Sequence, residues 1–496
     1  MRDWLAVRAH GTPQAPAVTV GGRTSSYAEL DARVERTAGR LAAAGVTPGD
    51  HVGLQVDGGL GFVTLVHATM RLNAVLVPLD PGLTRGELAA RLRTADVTLL
   101  FADAERTSDA AAVVASTPAE LLSTAAADQI SALDEQPPGG TDAPTLRPDD
   151  TLTILFTSGT TGDPKPVRLS VENVATSAAA SAFKLGLLPA DRWYDPLPMY
   201  HMGGLAPVYR TVLYGTTLVI EPHSRGFDAA QALETLHGAE VSCLSLVPTM
   251  LRRMLEQSDR PAPFPDSVRF VLVGGAPASR ELLERARDRS VPVAPTYGMT
   301  EASSQIATAP PSSAGERSES VGTPLMFTEL SILDEEGEPV DTGQSGEIVV
   351  AGPTVSTGYY GSAQHDSDRY GPYGFRTGDI GYRDTTGRLV IDGRADGRII
   401  TGGETVDPLE VQRAIETHPA VETALVVGVP DEEWGERVAA LVVGEIDAGG
   451  ELDGYLTDRL AREKRPRQLR VVEQLPRTAS GTGDRARARE LLGDSD

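Results

Sequence analysis

Residues 157–165 place hydroxyl, glycine and lysine side chains where they could hold phosphate. The segment reads TSGTTGDPK and follows an apolar run, 152–156, that predicts a buried strand. Glycines let backbone N–H groups turn toward an anion, hydroxyls add neutral donors, and Lys165 adds a mobile point charge. Pro164 excludes a Walker A loop, because the second glycine of that motif belongs there. Taken alone, such a segment is more often a solvated turn, so a phosphate site requires partner groups elsewhere in the chain.

The segment 297–301 carries the groups that a nucleotide needs. It reads YGMTE and follows an extended stretch. The ring of Tyr297 could stack on a base, the hydroxyl of Thr300 could donate to an α-phosphate, and the carboxylate of Glu301 could bind Mg²⁺. Gly298 lets a ligand approach the backbone closely. These residue types favour a nucleotide site, although each of them is a weak signal by itself.

Three other segments supply groups of the same kind. Residues 274–277 are small and follow a predicted strand, 268–273, so a flat ring could lie against the backbone at the carboxyl edge of a sheet. Asp379, in the sequence RTGD, could accept two ribose hydroxyls, and Arg394, in the sequence DGRADG, is a fork-like donor. Taken singly, both sequences are ordinary turn chemistry. The strong signal is the order and spacing of all five segments.

The length and composition indicate a globular protein of several domains. A chain of 496 residues exceeds one ordinary hydrophobic core, and 40% of its residues are apolar. The first residues contain no secretory apolar region, and no run approaches the roughly 18 apolar residues that a membrane span needs. The single cysteine, Cys243, excludes an internal disulfide framework and is interpreted as a buried small hydrophobe. We therefore expect a cytoplasmic protein without membrane insertion.

The charge pattern excludes two classes of partner. A net charge of −24 argues against binding to nucleic acid or to anionic membranes. The eight histidines show no spacing typical of a structural zinc site. Three of the 45 basic residues are lysines (Lys165, Lys184 and Lys464), which suggests a halophilic host or only a GC-rich genome. The sequence leaves open whether the chain forms a homo-oligomer.

The alternation of apolar and amphipathic segments predicts an α/β fold. Helical periodicity and extended apolar runs alternate in the first hundred residues, which indicates parallel strands joined by crossover helices. The predicted helices span 27–44, 61–72 and 85–94, and the predicted strands span 51–56, 75–78 and 97–101. Residues 104–150 are rich in Ala, Ser, Asp, Pro and Gly, and we expect an irregular surface excursion there rather than core elements.

The C-terminal part is expected to be organised differently. Beyond residue 346, short apolar runs broken by glycine predict a smaller β-rich piece. The last hundred residues alternate again, with helices expected at 410–417 and 452–462 and strands expected at 424–428 and 438–443. A polar turn near 394–397 separates two apolar strands. We therefore expect an N-terminal domain at 1–394 and a small α+β domain at 395–496.

With these motifs in place, the chain resembles the adenylate-forming superfamily of acyl-CoA synthetases, firefly luciferases and nonribosomal adenylation domains. The matching motifs are TSGTTGDPK, PMYHMGG, YGMTE, RTGD and GRADGRIITGGE, and the resemblance covers nearly the whole length. It implies a large N-terminal domain of stacked βα sheets with a β-rich subdomain, and a small mobile C-terminal domain. It also implies ATP, Mg²⁺ and CoA, because the family joins a carboxylate to AMP and then transfers the acyl group to a thiol.

The resemblance implies a role for each matching position. The residues that would wrap the β- and γ-phosphates are Thr157, Ser158, Gly159, Thr160, Thr161, Gly162 and Lys165. Those that would enclose adenine are Gly275, Ala276, Pro277 and Tyr297, and those that would bind ribose are Asp379 and Arg394. The group expected to be catalytic consists of Lys165, His201, Thr300 on the α-phosphate and Glu301 on Mg²⁺.

The same resemblance implies motion between two half-reactions. Asp396 matches the hinge, where a short acidic residue before glycine can absorb the φ/ψ change of domain rotation. Gly402, Gly403 and Glu404 match the loop that enters the site for thioester formation. The active site is therefore expected between the two domains.

Thr482 departs from the family pattern. The family usually has a lysine there, which holds the substrate carboxylate and α-phosphate oxygens during adenylation, and a hydroxyl cannot supply that charge. Arg477 or Arg485 could substitute, although a planar guanidinium is not equivalent to an ammonium. Another cation could act instead, or adenylation could be weakened.

The segment 198–215 bears on the identity of the acid. It looks most like the o-succinylbenzoate–CoA ligases, with His201 as a gate beside the acyl pocket and Gly298 lining the acid. Arg210 interrupts an apolar helical face and could meet the second, unreacted carboxylate of a dicarboxylic aromatic acid. It could equally pair with a structural acid or extend outward to solvent. A general aryl or medium-chain acyl-CoA synthetase and a non-catalytic adenylate-binding homologue are the alternatives.

Overall fold

A computed structural model describes residues 3–123, 131–133, 144–157, 164–221, 226–275, 278, 280–311, 320–334, 336–361, 369–394, 399–406, 408–446, 450–476 and 485–493. The described residues form four β-sheets and the helices that pack on them. The helices are α1 (Trp4–Gly11), α2 (Tyr27–Ala43), α3 (Leu60–Arg71), α4 (Arg85–Thr94), α5 (Thr107–Val114), α6 (Val171–Leu185), α7 (Met202–Tyr214), α8 (Ala229–Gly238), α9 (Pro248–Gln257), α10 (Arg280–Asp288), α11 (Pro408–Glu416), α12 (Glu451–Thr457) and α13 (Arg485–Gly493).

The first fifteen strands belong to the two large sheets. They are β1 (Pro16–Val20), β2 (Arg23–Ser26), β3 (His51–Gln55), β4 (Val75–Pro78), β5 (Leu99–Ala102), β6 (Glu120–Ser123), β7 (Ser131–Ala132), β8 (Thr151–Thr157), β9 (Lys165–Ser170), β10 (Arg192–Tyr194), β11 (Thr217–Ile220), β12 (Cys243–Leu246), β13 (Phe270–Val273), β14 (Val293–Met299) and β15 (Ser304–Thr308). The remaining strands are β16 (Thr323–Pro324), β17 (Glu329–Leu333), β18 (Gly346–Ala351), β19 (Tyr370–Gly371), β20 (Gly374–Arg383), β21 (Leu389–Arg394), β22 (Ile399–Thr401), β23 (Glu404–Val406), β24 (Val421–Asp431), β25 (Gly435–Gly444) and β26 (Gln468–Val471).

The two large sheets are mainly parallel. The nine-stranded sheet has the order β16-β15-β14-β13-β12-β10-β11-β1-β2, and the seven-stranded sheet has the order β7-β6-β5-β3-β4-β8-β9. Antiparallel pairs lie at the sheet edges, where β8 pairs with β9 and β14 pairs with β15. Parallel strands are joined by helices, as the α/β alternation predicted. One apolar core draws buried side chains from both sheets and from the helices between them, including Tyr27, Phe62, Val66, Leu205 and Tyr209.

The two smaller sheets are mainly antiparallel. The first runs β17-β18-β20-β19, with β21 added to β20, and the second runs β23-β22-β25-β24, with β26 added in parallel to β25. In the described residues no strand pairing links these two sheets to each other. The α/β fold class with an α+β C-terminal part is therefore confirmed. The boundary between residues 394 and 395 stays a prediction.

Local sequence explains where the helices that matter for the site begin and end. The side chain of Ser26 accepts from the Glu29 N–H and the Glu29 carboxylate accepts from the Ser26 N–H, which forms a capping box at α2. Helix α7 begins after His201 and ends at Gly215, whose φ of 78° is left-handed. A Cβ on Gly204 would lie 2.5 Å from the Pro198 carbonyl oxygen, so the first turn of α7 requires glycine.

Some predictions about local structure were wrong. The segment 104–150 contains α5, β6 and β7 in its described part, because Ala110, Val113 and Leu122 are buried against the seven-stranded sheet. The RTGD sequence is not a turn, since 376–379 lie inside β20. The helix expected at 452–462 ends at Thr457. No helix in the described part of the chain combines the length and the apolar character that crossing a membrane requires.

Candidate active site

The two ends of the predicted phosphate segment lie on paired antiparallel strands. Thr157 ends β8 and Lys165 begins β9, and the two residues are paired in register. The residues between them that were expected to bind phosphate, Ser158 to Gly162, lie outside the described residues. Lys165 is 8% exposed, and its Nζ lies 5.5 Å from the ring centroid of Tyr359. The cation therefore contacts an aromatic face beside the two strands.

Tyr359 connects the predicted phosphate residue with the predicted metal residue. Its hydroxyl donates to Glu301 Oε1 at 3.2 Å, while its ring faces Lys165. Burial, followed by the Glu301 charge, raises the pKa of the Tyr359 phenol, so this group stays a neutral donor. Glu301 and Thr300 share a short 3₁₀ turn directly after β14. Sequence reasoning missed Tyr359, since nothing in its local pattern indicates this contact.

The predicted adenine and ribose residues contact each other. The Tyr297 hydroxyl donates to Asp379 Oδ2 at 2.5 Å, which joins β14 to β20. The Asp379 N–H donates in turn to Thr377 Oγ1 at 3.0 Å. Asp379 is paired with Arg394 across β20 and β21, although the structure does not describe the Arg394 side chain. The ring and the carboxylate therefore lie side by side, as a single nucleoside site requires.

Two glycines allow close approach of backbone in this region. A Cβ on Gly298 would lie 1.7 Å from the Ser304 carbonyl oxygen, so the turn from β14 into β15 tolerates no side chain. Gly275 has a left-handed φ of 79°, and a Cβ on it would lie 3.9 Å from the Gly403 carbonyl oxygen. Gly275 therefore lies close to the 402–404 loop of the small sheet. Ala276 and Pro277, predicted beside adenine, lie outside the described residues.

His201 and Glu404 form an ion pair between the large and small parts of the molecule. The His201 Nε2 lies 2.8 Å from Glu404 Oε1, and the two side chains are 40% and 33% exposed. Burial lowers the pKa of His201, but the Glu404 carboxylate more than offsets this and the net pKa is raised. Burial by itself would raise the pKa of Glu404. The imidazole of His201 acts in the opposite direction, and the net pKa is lowered. Both shifts favour the charged pair.

Glycines shape the loop that carries Glu404. Gly402 and Gly403 have left-handed φ values of 60° and 90°. A Cβ on Gly402 would lie 2.5 Å from the Trp434 ring, and one on Gly403 would lie 2.7 Å from a Val247 methyl carbon. The loop therefore fits between the indole of the small sheet and the start of α9. Substitution at either glycine would displace Glu404 from His201.

A second contact between the two parts involves Lys464. Its Nζ lies 2.6 Å from Glu410 Oε1 and 4.0 Å from Glu87 Oε1, and the lysine side chain is 10% exposed. Glu410 lies on α11 and Glu87 lies on α4, so one cation bridges both parts of the molecule. The neighbouring Glu463 carboxyl has its pKa raised to about 7, mainly by burial and then by the Glu404 charge. Sequence reasoning missed this cluster.

Arg210 is buried without an acidic partner in the described residues. It is 3% exposed, Nη1 donates to Gln305 Oε1 at 3.0 Å, and Nη2 donates to Ser177 Oγ at 3.0 Å. Burial lowers the pKa of this guanidinium. The structure therefore contradicts outward extension to solvent and shows no pairing with a described acid. Gln305 is paired with Gly298 across β14 and β15, so the two predicted acid-binding residues lie near each other.

The described residues suit a Mg²⁺ ion that is held partly by the phosphates of a bound nucleotide, and they do not form a metal site by themselves. They contain no cluster of three or more His, Cys, Asp or Glu side chains suited to a metal ion. Glu301 offers one carboxylate, and the donor on it is the Tyr359 hydroxyl. Mg²⁺ is commonly held by one or two carboxylates together with substrate phosphates and water. Glu301 is therefore suited to a nucleotide-bound Mg²⁺. Asp396, which was predicted to be the hinge, and Thr482 lie outside the described residues.

Comparison with protein families and curated sequences gives matches over nearly the whole chain. The family model described as AMP-binding enzyme matches residues 5–360, and the AMP-binding enzyme C-terminal domain matches residues 410–482. The 2-succinylbenzoate–CoA ligase of Bacillus licheniformis is 36% identical over 484 residues, which cover 96% of this chain and 97% of that protein. The enzyme of the same name from Bacillus subtilis is 35% identical, covering 96% and 95%.

Solved structures of one related synthetase match this chain to different degrees. A double mutant of the Bacillus subtilis o-succinylbenzoate CoA synthetase, bound with the product analogue OSB-NCoA, gives a TM-score of 0.90 at 33% identity, covering 100% of this chain and 99% of that chain. The synthetase from the same organism with the acyl-adenylate OSB-AMP gives a TM-score of 0.75, again at 33% identity, and the match covers 99% of this chain and 98% of that chain. Its complex with ATP and magnesium ion gives 0.74 at 33% identity, covering 100% of both chains. The present arrangement therefore resembles the one bound with the CoA product analogue.

Proposed function

Because this chain belongs to the AMP-binding enzyme family, we propose that it ligates 2-succinylbenzoate to CoA through an acyl-adenylate. It is an AMP-forming acid–thiol ligase that uses ATP, Mg²⁺ and CoA. The observation that carries the substrate assignment is the similarity to 2-succinylbenzoate–CoA ligases over the full length of both chains. The buried Arg210 supports it, because a second carboxylate on the acid would supply the missing countercharge.

In the first half-reaction a carboxylate oxygen of the acid attacks the α-phosphorus of ATP. The new P–O bond forms as the bond to the β-phosphate breaks, and pyrophosphate leaves. We assign Lys165 and the 157–162 segment to the departing phosphates, Thr300 to the α-phosphate, and Tyr297 with Asp379 to the nucleoside. Gly275, Ala276 and Pro277 would line adenine, and Arg394 would reach ribose. Glu301 would hold Mg²⁺, which offsets phosphate charge when bound.

In the second half-reaction the CoA sulfur attacks the acyl carbon. The C–S bond forms, the C–O bond to AMP breaks, and the thiol proton is released. We assign the 402–404 loop to this step, because it brings Glu404 to His201 at the predicted acyl gate. This assignment agrees with the similarity to the complex with the CoA product analogue. Rotation about Asp396, between domains 1–394 and 395–496, would exchange the two arrangements.

Thr482 leaves the cation for adenylation to be identified. Arg477, Arg485 or another cation would replace the usual lysine, or adenylation would be slow. Pyrophosphate exchange on wild type and a Thr482→Lys variant distinguishes these cases. A large increase means that the cation is missing in the wild type, and no increase means that it is supplied elsewhere.

An acid panel tests the proposed substrate. AMP release is measured with ATP, Mg²⁺ and CoA on 2-succinylbenzoate, benzoate and octanoate. We expect kcat/KM for 2-succinylbenzoate to exceed the other values by at least about 100-fold. A preference for benzoate or octanoate would instead support a general aryl or medium-chain acyl-CoA synthetase. Binding of an acyl-adenylate without AMP release on any acid would support a non-catalytic homologue.

We also propose a setting for the enzyme. A cytoplasmic location fits the small soluble substrates, and a halophilic host fits the excess of acidic residues with few lysines. Self-association of the chain stays open. Size-exclusion chromatography with light scattering at low and high salt would address both the salt requirement and the oligomeric state.

A further inference from the structure

Gln305 stands beside Arg210 where a buried arginine would ordinarily meet a carboxylate. The side-chain oxygen Oε1 accepts from Arg210 Nη1 at 3.0 Å and from Ser181 Oγ at 2.6 Å. The side-chain nitrogen Nε2 donates to Thr308 Oγ1 at 2.8 Å. These bonds orient the amide, with its oxygen toward the guanidinium and its nitrogen away from it.

The other contacts of Arg210 are equally neutral. Ser177 Oγ accepts from Nη2 at 3.0 Å and donates to the Ser303 carbonyl at 2.6 Å. Arg210, Ser177 and Gln305 are each at most 3% exposed. Two guanidinium N–H groups are thus satisfied, and the others have no acceptor among the described residues. A buried cation held only by neutral groups is costly unless an anion joins it.

We propose that Gln305 is a positioning residue that orients Arg210 while leaving its charge uncompensated, so that the guanidinium can bind the ring carboxylate of a dicarboxylic aromatic acid. The inference rests on the proposed function and names the residue behind its selectivity. Gln305 is suited to this because it pairs with Gly298 in the strand ladder, directly beside the segment that carries Thr300. A glutamate at position 305 would keep the shape and neutralise Arg210.

The test compares two acids that differ in one group. 4-Oxo-4-phenylbutanoate has the aliphatic carboxylate and ketone of 2-succinylbenzoate but lacks the ring carboxylate. For Gln305→Glu we expect the ratio of kcat/KM for 2-succinylbenzoate over the monoacid to fall at least about 10-fold, mainly through a higher KM for the diacid. Gln55→Glu is the matched control, because Gln55 is 4% exposed in the other large sheet. That variant should retain the wild-type ratio.

Further variants keep the outcome decisive if Gln305→Glu does not fold. Gln305→Met should also lower the ratio, and adding it to Arg210→Met should lower the ratio no further, since Gln305 acts through Arg210. Equal losses on both acids in Gln305→Met, or an additive double variant, would overturn the inference and leave Gln305 a structural residue. A wild-type enzyme that does not activate 2-succinylbenzoate would instead refute the proposed function itself.

Discussion

The imidazole of His201 and the carboxylate of Glu404 meet at 2.8 Å, at the start of α7 and at the tip of the β22–β23 hairpin. The pair ties the predicted acyl gate to the predicted thioester loop. The Bacillus subtilis synthetase bound with the CoA product analogue gives a TM-score of 0.90, and the same synthetase with the acyl-adenylate gives 0.75. The ion pair is a contact of the arrangement that resembles the CoA product complex.

Loss of this pair should slow one half-reaction more than the other. In Glu404→Gln the imidazole loses its charged partner, so the thioester arrangement is less favoured while the adenylation arrangement is not. We expect about a 10-fold lower rate of acyl transfer from preformed adenylate to CoA and less than about a threefold change in pyrophosphate exchange. Glu422→Gln, on the exposed side of β24, is the control. Equal slowing of both half-reactions would contradict the assignment.

Much of the fold could be predicted because its signals are local. Capping residues, glycines and the alternation of apolar periods lie within a few positions of one another, and they locate α2 and β3 within a residue or two of their observed bounds. The 104–150 segment shows the limit of this reasoning. Its composition predicted an irregular surface segment, but some of its apolar residues are buried because β6 pairs with β5.

The site was predictable to the extent that its residues lie in recognisable motifs. Tyr297 and Asp379 were both expected to bind the nucleoside, and they contact each other. The pairing of Tyr359 with Glu301 spans 58 positions, and that of Arg210 with Gln305 spans 95. Such contacts depend on how distant strands and helices pack, which no periodicity encodes. Side-chain networks around the motif residues therefore required the structure.

Removing the Tyr297 hydroxyl should weaken ATP binding. In Tyr297→Phe the ring can still stack on adenine, but Asp379 loses a donor at 2.5 Å and is less firmly oriented toward ribose. We expect the KM for ATP to rise about three- to tenfold, with a smaller change in kcat. Tyr382→Phe, on the same strand as Asp379, is the control. An unchanged KM for ATP would exclude Asp379 as a ribose ligand that depends on Tyr297.

Lys464 should stabilise the contact between the two parts. In Lys464→Met the Glu410 carboxylate, which is 16% exposed, loses its cation at 2.6 Å, and Glu87 loses a favourable charge at 4.0 Å. We expect a loss of about 2–4 kcal/mol in the free energy of unfolding, measured with denaturant at neutral pH. Lys464→Arg should retain part of the free energy of unfolding that Lys464→Met loses. Lys184→Met, which removes a lysine from α6, is the comparison, and an equal effect there would contradict a special role for Lys464.

His67 should make the large part of the molecule sensitive to mild acid. It is 1% exposed on α3, and burial lowers its pKa from 6.5 to about 4, with Asp3 opposing and Arg71 adding to the shift. Because the pKa of His67 is lower in the folded state than in the unfolded state, folding is favoured fully when the pH is above the unfolded value of 6.5. This contribution to stability is lost as the pH falls toward the folded value of about 4. Between pH 7.5 and pH 5 the loss should be on the order of 2 kcal/mol. Denaturant midpoints at the two pH values measure it. In His67→Gln the denaturant midpoint should change less between the two pH values. The control His10→Gln, at an exposed position, should behave as the wild type. An unchanged difference in His67→Gln would mean that other groups cause the acid sensitivity.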